Sequence, residues 1–105
     1  MSDRLQQLTG LHRADPTDPF CTYGIAMEYQ KVGRHDEAVD WLKKTLEIDG
    51  NYCYAFYHMA KILSDSGDDD EARRVLGNGI QTAAGCGDEH ALGEMRELLE
   101  LLEES

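Results

Sequence analysis

Residues 32–49, VGRHDEAVDWLKKTLEID, and residues 66–83, SGDDDEARRVLGNGIQTA, decide how this chain folds. Gly33 aligns with Gly67, Asp36-Glu37-Ala38 with Asp70-Glu71-Ala72, and Leu42 with Leu76, each pair 34 residues apart. One unit of that size cannot bury its apolar face alone, so a period of this length marks units that stack on one another.

Around these segments the chain reads as helix throughout, with no long alternating, β-branched run to suggest a strand. In ADPTDP, Asp18 is placed to cap a helix and Pro19 to open it, where a missing N–H costs nothing. That helix is expected to run to about Val32 and to stop at Gly33. The next covers about His35 to Ile48 and ends at Asp49-Gly50-Asn51. A third runs from Tyr52 to about Ser66, and a fourth from Asp69 to about Ala84, broken by Gly85-Cys86-Gly87. The acids Asp68, Asp69, Asp70 and Glu71 sit at its start, where they complement the helix dipole. Leu92, Met95, Leu99 and Leu102 form the apolar stripe of a last helix from Asp88 to Glu103. Leu5, Leu8 and Leu11 mark a short first one. The sum is six helices in an all-α domain, with turns short enough to make neighbours antiparallel.

Composition bounds what such a domain does. The 105 residues suffice for one domain with a core, and 41% hydrophobic with 30% charged residues suits a globular chain. No apolar run is long enough to span a bilayer, and MSDRLQQLTGLHR is too polar for a secretory leader, so a cytoplasmic protein is expected. Cys21, Cys53 and Cys86, an odd count without a C-x-x-C pair, are expected to be reduced, buried or half-buried thiols. The net charge of −11 disfavours nucleic acid and anionic membrane as partners. Lys43-Lys44 and Arg73-Arg74 are the basic clusters, each set among acids. The same excess suits a high-salt cytoplasm, where screening relieves self-repulsion, and equally an ordinary acidic bacterial protein.

A helix–turn–helix unit of this period resembles the tetratricopeptide repeat family, of the small bacterial type. Its pattern is W-x2-L-G-x2-Y, then A-x3-F, then P. Those slots hold Thr22, Ile25, Ala26, Tyr29, Ala38, Leu42 and Gly50 in a first unit at 18–51, and Phe56, Met59, Ala60, Leu63, Ala72, Leu76 and Ala84 in a second at 52–85. Small residues fall at Ala26, Ala38, Ala60, Ala72 and Gly79, where helices are expected to approach closely. Thr22 replaces the aromatic, and Gly50 and Ala84 replace the proline. Residues 1–17 look like a half-repeat, with Leu8 and Pro16 in family slots. Residues 86–105 look like the capping helix such arrays need, with Glu94, Glu97, Glu100, Glu103 and Glu104 on its wet face. The resemblance implies a short right-handed superhelix forming one domain over 1–105.

No catalytic constellation appears. His12, His35, His58 and His90 lack metal-ligand spacing, Cys86, Asp88 and His90 span a helix start, and Asp68–Glu71 lacks the alternation of a cation loop. No enzyme activity, metal or cofactor is expected. What remains is a surface. The resemblance implies that the first helix of each hairpin lines a concave groove, here through Phe20, Tyr23, Met27 and Gln30, then Tyr54, Tyr57, Lys61 and Ser64. Stacked repeats would set Tyr23 and Tyr57 side by side. Tyrosine combines contact area, low entropy cost and a polar tip, as binding surfaces favour. The expected function is a scaffold that binds a protein or peptide. The alternatives are a homo-oligomer that uses the groove or terminal helices, or a groove covered by the first or last helix. Relatives that hold acidic chaperone tails use a basic clamp here; Lys61 alone would supply it, which disfavours that ligand.

Overall fold

A computed structural model describes residues 3–104. They form six α-helices and, among the described residues, no strand. The chain divides into two compact units between Gly50 and Asn51. The first holds α1 (Asp3–Ala14), α2 (Pro19–Lys31) and α3 (His35–Ile48); the second holds α4 (Cys53–Asp65), α5 (Asp69–Cys86) and α6 (Glu89–Glu103).

The helix ends follow the local chemistry. Asp18 keeps extended backbone and accepts a hydrogen bond from the Phe20 N–H at 2.9 Å, with Pro19 as the first helical residue. Asp68 and Asp88 cap α5 and α6 in the same way, accepting from the N–H groups of Glu71 and Ala91. Gly33 (φ +77°) and Gly67 (φ +88°) adopt the left-handed conformation that closes α2 and α4. At both, the glycine N–H and the next N–H reach back to the last helical turn. Gly33 and Arg34 bond Gln30 O and Tyr29 O; Gly67 and Asp68 bond Ser64 O and Leu63 O. The two hairpins thus turn by one hydrogen-bond pattern, repeated at the sequence period.

Two expectations are adjusted here. The fourth helix runs two residues past Ala84, to Cys86, and within Gly85-Cys86-Gly87 it is Gly87 (φ +77°) that stops it. A glycine weakens a helix by about 1 kcal/mol but does not end one unless a positive φ is required. In α1, Leu5 and Leu8 are buried, but Leu11 stands 56% exposed in the last turn and lies off the packed stripe.

In the first unit, Leu5, Leu8 and Ile25 pack together, with Tyr29 and Trp41 against them. Ala26, Ala38 and Leu42 are fully buried, as a close approach of α2 and α3 requires. Thr22, which stands in the family's aromatic slot, faces Thr45 across that contact, and their hydroxyl oxygens lie 2.7 Å apart in the buried interior. In the second unit the equivalent pair is Phe56 and Gly79, and the solution is inverted. A Cβ on Gly79 would lie 2.6 Å from Phe56 Cβ and 2.6 Å from Met95 Sδ, so the large ring is accommodated by removing the side chain opposite. Ala60, Ala72, Leu76, Ala83, Ala91 and Met95 are fully buried in that core.

Candidate partner-binding surface

The four expected residues of α2 share one helix face, because spacings of three, four and three residues return to one side of a 3.6-residue turn. The opposite face is occupied: Cys21, Thr22, Ile25 and Ala26 are buried. Phe20 is 61% exposed, an unusual setting for a large ring. Tyr23, Met27 and Gln30 are half-buried. The first helix closes on part of this unit through Leu8, whose Cδ atoms would lie 3.1 and 3.2 Å from a Cβ placed on Gly24. Beside that contact is a cavity of about 300 Å³ lined by Leu5, Gln6, Thr9, Arg13 and Tyr29.

In the second unit Tyr54, Tyr57, Lys61 and Ser64 lie half-buried along one face of α4. The rings of Tyr54 and Tyr57 meet edge to face, with centroids 6.2 Å apart. The Lys61 ammonium stands 5.6 Å from the Tyr57 ring centroid, within cation–π range. Ser64 donates to Asp69 Oδ1 at 3.1 Å, so it ties the α4–α5 turn rather than facing open solvent.

The last helix builds a second wall beside this face. Tyr54 pairs through its hydroxyl with His90 Nδ1. Tyr57 lines a cavity of about 290 Å³ together with Glu94, Glu97, Leu98 and Leu101, and Leu101 is 62% exposed. These α6 residues are absent from the sequence-based set of eight. Glu94 and Glu97 read there as a solvated face, while Leu98 and Leu101 lie outside the Leu92–Met95–Leu99–Leu102 stripe. The signal was present as a second apolar pair, one position before Leu99 and Leu102.

The electrostatics of this wall are acidic. Desolvation, then the Glu94 and Asp88 carboxylates, raise the Tyr54 phenol above its ordinary pKa and keep it neutral. Burial, and secondarily Lys61, push the His58 imidazole below its ordinary value, with Glu94 opposing. His90 Nε2 lies 3.5 Å from Glu94 Oε1. Among the described residues no group of three or more His, Cys, Asp or Glu is arranged to hold a metal ion. Nor is any helix of the described chain long and apolar enough to cross a membrane. The arrangement offers apolar contact, stacking and negative charge.

Comparison with known proteins adds the following. The family profile described as "Tetratricopeptide repeat" matches residues 23–52. A tetratricopeptide repeat and J domain-containing co-chaperone of Cryptococcus neoformans is 35% identical over 68 residues, which are 65% of this chain and 13% of that protein. The chain thus spans a small part of that curated relative. The solution structure of a tetratricopeptide repeat domain protein from Salinibacter ruber superposes with a TM-score of 0.78 at 28% identity, covering 85% of this chain and 90% of that one. The TPR2B-domain:pHsp70 complex of yeast Sti1 gives a TM-score of 0.88 at 18% identity, covering 95% and 80%.

Proposed function

Because the chain is a tetratricopeptide repeat protein, we propose that it acts as a non-catalytic module that binds a protein or peptide segment through the outward faces of α2 and α4. The observation that carries this reading is the Tyr57 cavity, where an aromatic ring and two leucines are bordered by Glu94 and Glu97. A ring with apolar neighbours and a charged rim is the composition of an anchor pocket. The yeast Sti1 domain of the same fold, solved as a complex with pHsp70, supports a binding role of this kind.

The chemistry of the rim selects the partner. With a net charge of −11 and two carboxylates at the cavity, a segment that carries Lys or Arg beside an aliphatic or aromatic residue gains both attraction and burial. Lys61 is the one basic residue among the eight expected face residues, so an acidic tail finds little here.

Selection of peptides from a random library on the immobilised protein tests the reading. Enrichment of basic segments with an apolar anchor is expected, with Tyr57→Ala weakening the best binder by about 1–2 kcal/mol while its melting temperature stays close to the parent's. Replacing Glu94 and Glu97 by Gln should flatten the salt dependence of affinity. Enrichment of acidic peptides, or binders indifferent to Tyr57→Ala, would overturn it.

A further inference from the structure

One cysteine departs from the expected picture. Cys21 and Cys53 are buried, but Cys86 is exposed rather than buried or half-buried. Cys53 is the first residue of α4 and Cys86 the last residue of α5. In a hairpin of two antiparallel helices the start of one lies beside the end of the other. The two Sγ atoms are therefore brought to 3.8 Å although 33 positions separate them in sequence. Cys53 Sγ also points to Asn51 O at 3.4 Å, and Cys86 Sγ to Ala83 O at 3.8 Å. One thiol is thus open to solvent while its partner waits beneath it. That is the arrangement of an attacking and a resolving cysteine.

We propose that Cys53 and Cys86 are a peroxide-sensitive dithiol, closed by a hydroperoxide into an intramolecular disulfide that ties the two ends of the α4–α5 hairpin. The Cys86 thiolate attacks the hydroperoxide: an S–O bond forms, the O–O bond breaks, and the departing alkoxide takes a proton to leave as an alcohol. Cys53 sulfur then attacks Cys86 Sγ. An S–S bond forms, the S–O bond breaks, and the hydroxyl leaves as water with the Cys53 proton. Two thiols and one hydroperoxide give one disulfide, one alcohol and one water; the two sulfurs lose two electrons in all, and the peroxide oxygens gain them.

The assignment of roles has a physical cause. Burial first, then Cys86 and Asp88, push the Cys53 thiol up to about 12, so Cys53 rests as the protonated partner. Cys86, in the last turn of α5, is the sulfur that solvent reaches. The third thiol, Cys21, lies in the other compact unit, bonded to Asp18 Oδ2 at 3.5 Å, and serves as an internal control. Closure fixes the residue before Tyr54, whose hydroxyl pairs with His90, so oxidation stiffens the segment that carries the aromatic face. The inference does not depend on the identity of any partner.

Treatment of the full chain with hydrogen peroxide under native conditions, followed by non-reducing peptide mass mapping, tests it. The expected result is loss of two hydrogens, a fall from three free thiols to one, and a peptide pair joined through Cys53 and Cys86. Dithiothreitol should reverse all three. Cys21→Ser should form the same bridge, and Cys86→Ser should form none. Oxidised protein should melt higher by about 10 °C. Sulfinic or sulfonic acid on Cys86 with Cys53 still a free thiol, or dimers joined through Cys86, would overturn the proposal.

Discussion

Gly79→Ala should destabilise the second unit, against the usual effect of replacing a helical glycine. The helix α5 gains from the change: alanine is more favourable than glycine in a helix interior by about 1 kcal/mol. Packing opposes it. The new Cβ would sit 2.6 Å from Phe56 Cβ and 2.6 Å from Met95 Sδ, where carbon contacts settle near about 3.5–4.0 Å. Met95 sulfur is the end of a flexible chain, but Phe56 Cβ is bound to the α4 backbone. The helices must part by about 1 Å in a close-packed interior, and overpacking of this kind costs about 1–3 kcal/mol. With Phe56 unable to yield, the upper half of that range applies, for a net loss of about 1–2 kcal/mol. Gly77 is the internal control. It lies on the same helix, is exposed, and a Cβ there would meet nothing within 4 Å. Gly77→Ala should therefore stabilise, by about 0.4–1 kcal/mol. Urea titrations followed by far-ultraviolet circular dichroism would place the two variants on opposite sides of the parent. If Gly79→Ala is as stable as Gly77→Ala, the Phe56–Gly79 contact is not the packing described, and the argument that glycine offsets the large ring fails.

Three further outcomes are expected. Thr22→Val and Thr45→Val should each cost about 0.5–1.5 kcal/mol, since the hydroxyl left behind keeps its own carbonyl, Pro19 O at 3.0 Å or Trp41 O at 2.9 Å, and the double variant should cost less than their sum because the shared Thr22–Thr45 hydrogen bond is lost only once; strict additivity in denaturation midpoints would show that the hydroxyls do not interact. With 21 acids against 10 basic residues, the melting temperature should rise from low to molar sodium chloride, and a flat or falling trend would contradict self-repulsion. The His58 imidazole lies below its ordinary 6.5 when folded, so the unfolded chain takes up that proton first as pH falls. Its contribution is complete above the unfolded value and is lost below it; melting between about pH 7.5 and about pH 5.5 should fall more in the parent than in His58→Gln, and equal falls would assign the titration elsewhere.

The helices were legible because their ends carry local chemistry. Asp18-Pro19, Asp68 and the two glycines at one repeat offset act within a few residues of themselves, so sequence spacing suffices. Spacing marked Gly85-Cys86-Gly87 as the break but not which glycine makes it; glycine ends a helix only where the backbone takes a positive φ, and that falls at Gly87. Leu11 misled because its place in the apolar pattern does not reveal where α1 stops packing. On the candidate surface, sequence spacing puts Phe20, Tyr23, Met27 and Gln30 on one side of α2, and Tyr54, Tyr57, Lys61 and Ser64 on one side of α4. Cover by the last helix was among the alternatives, but spacing did not name the α6 residues that wall the α4 face. Glu94 and Glu97 look like solubilising charge until Tyr57 is seen against them, and Leu98 and Leu101 look redundant beside the main stripe. The Cys53–Cys86 contact was hidden for the same reason: it joins two ends that only the hairpin brings together.

The binding claim is met most directly by nuclear magnetic resonance on the isotope-labelled full chain, titrated with the tightest selected basic peptide. Saturable shifts should concentrate on Phe20, Tyr23, Met27 and Gln30, and on Tyr54, Tyr57, Lys61, Glu94 and Leu98, with little change at Lys43, Lys44, Arg73 and Arg74. Shifts confined to α3 and the exposed side of α5, with the tyrosine faces silent, would contradict the account.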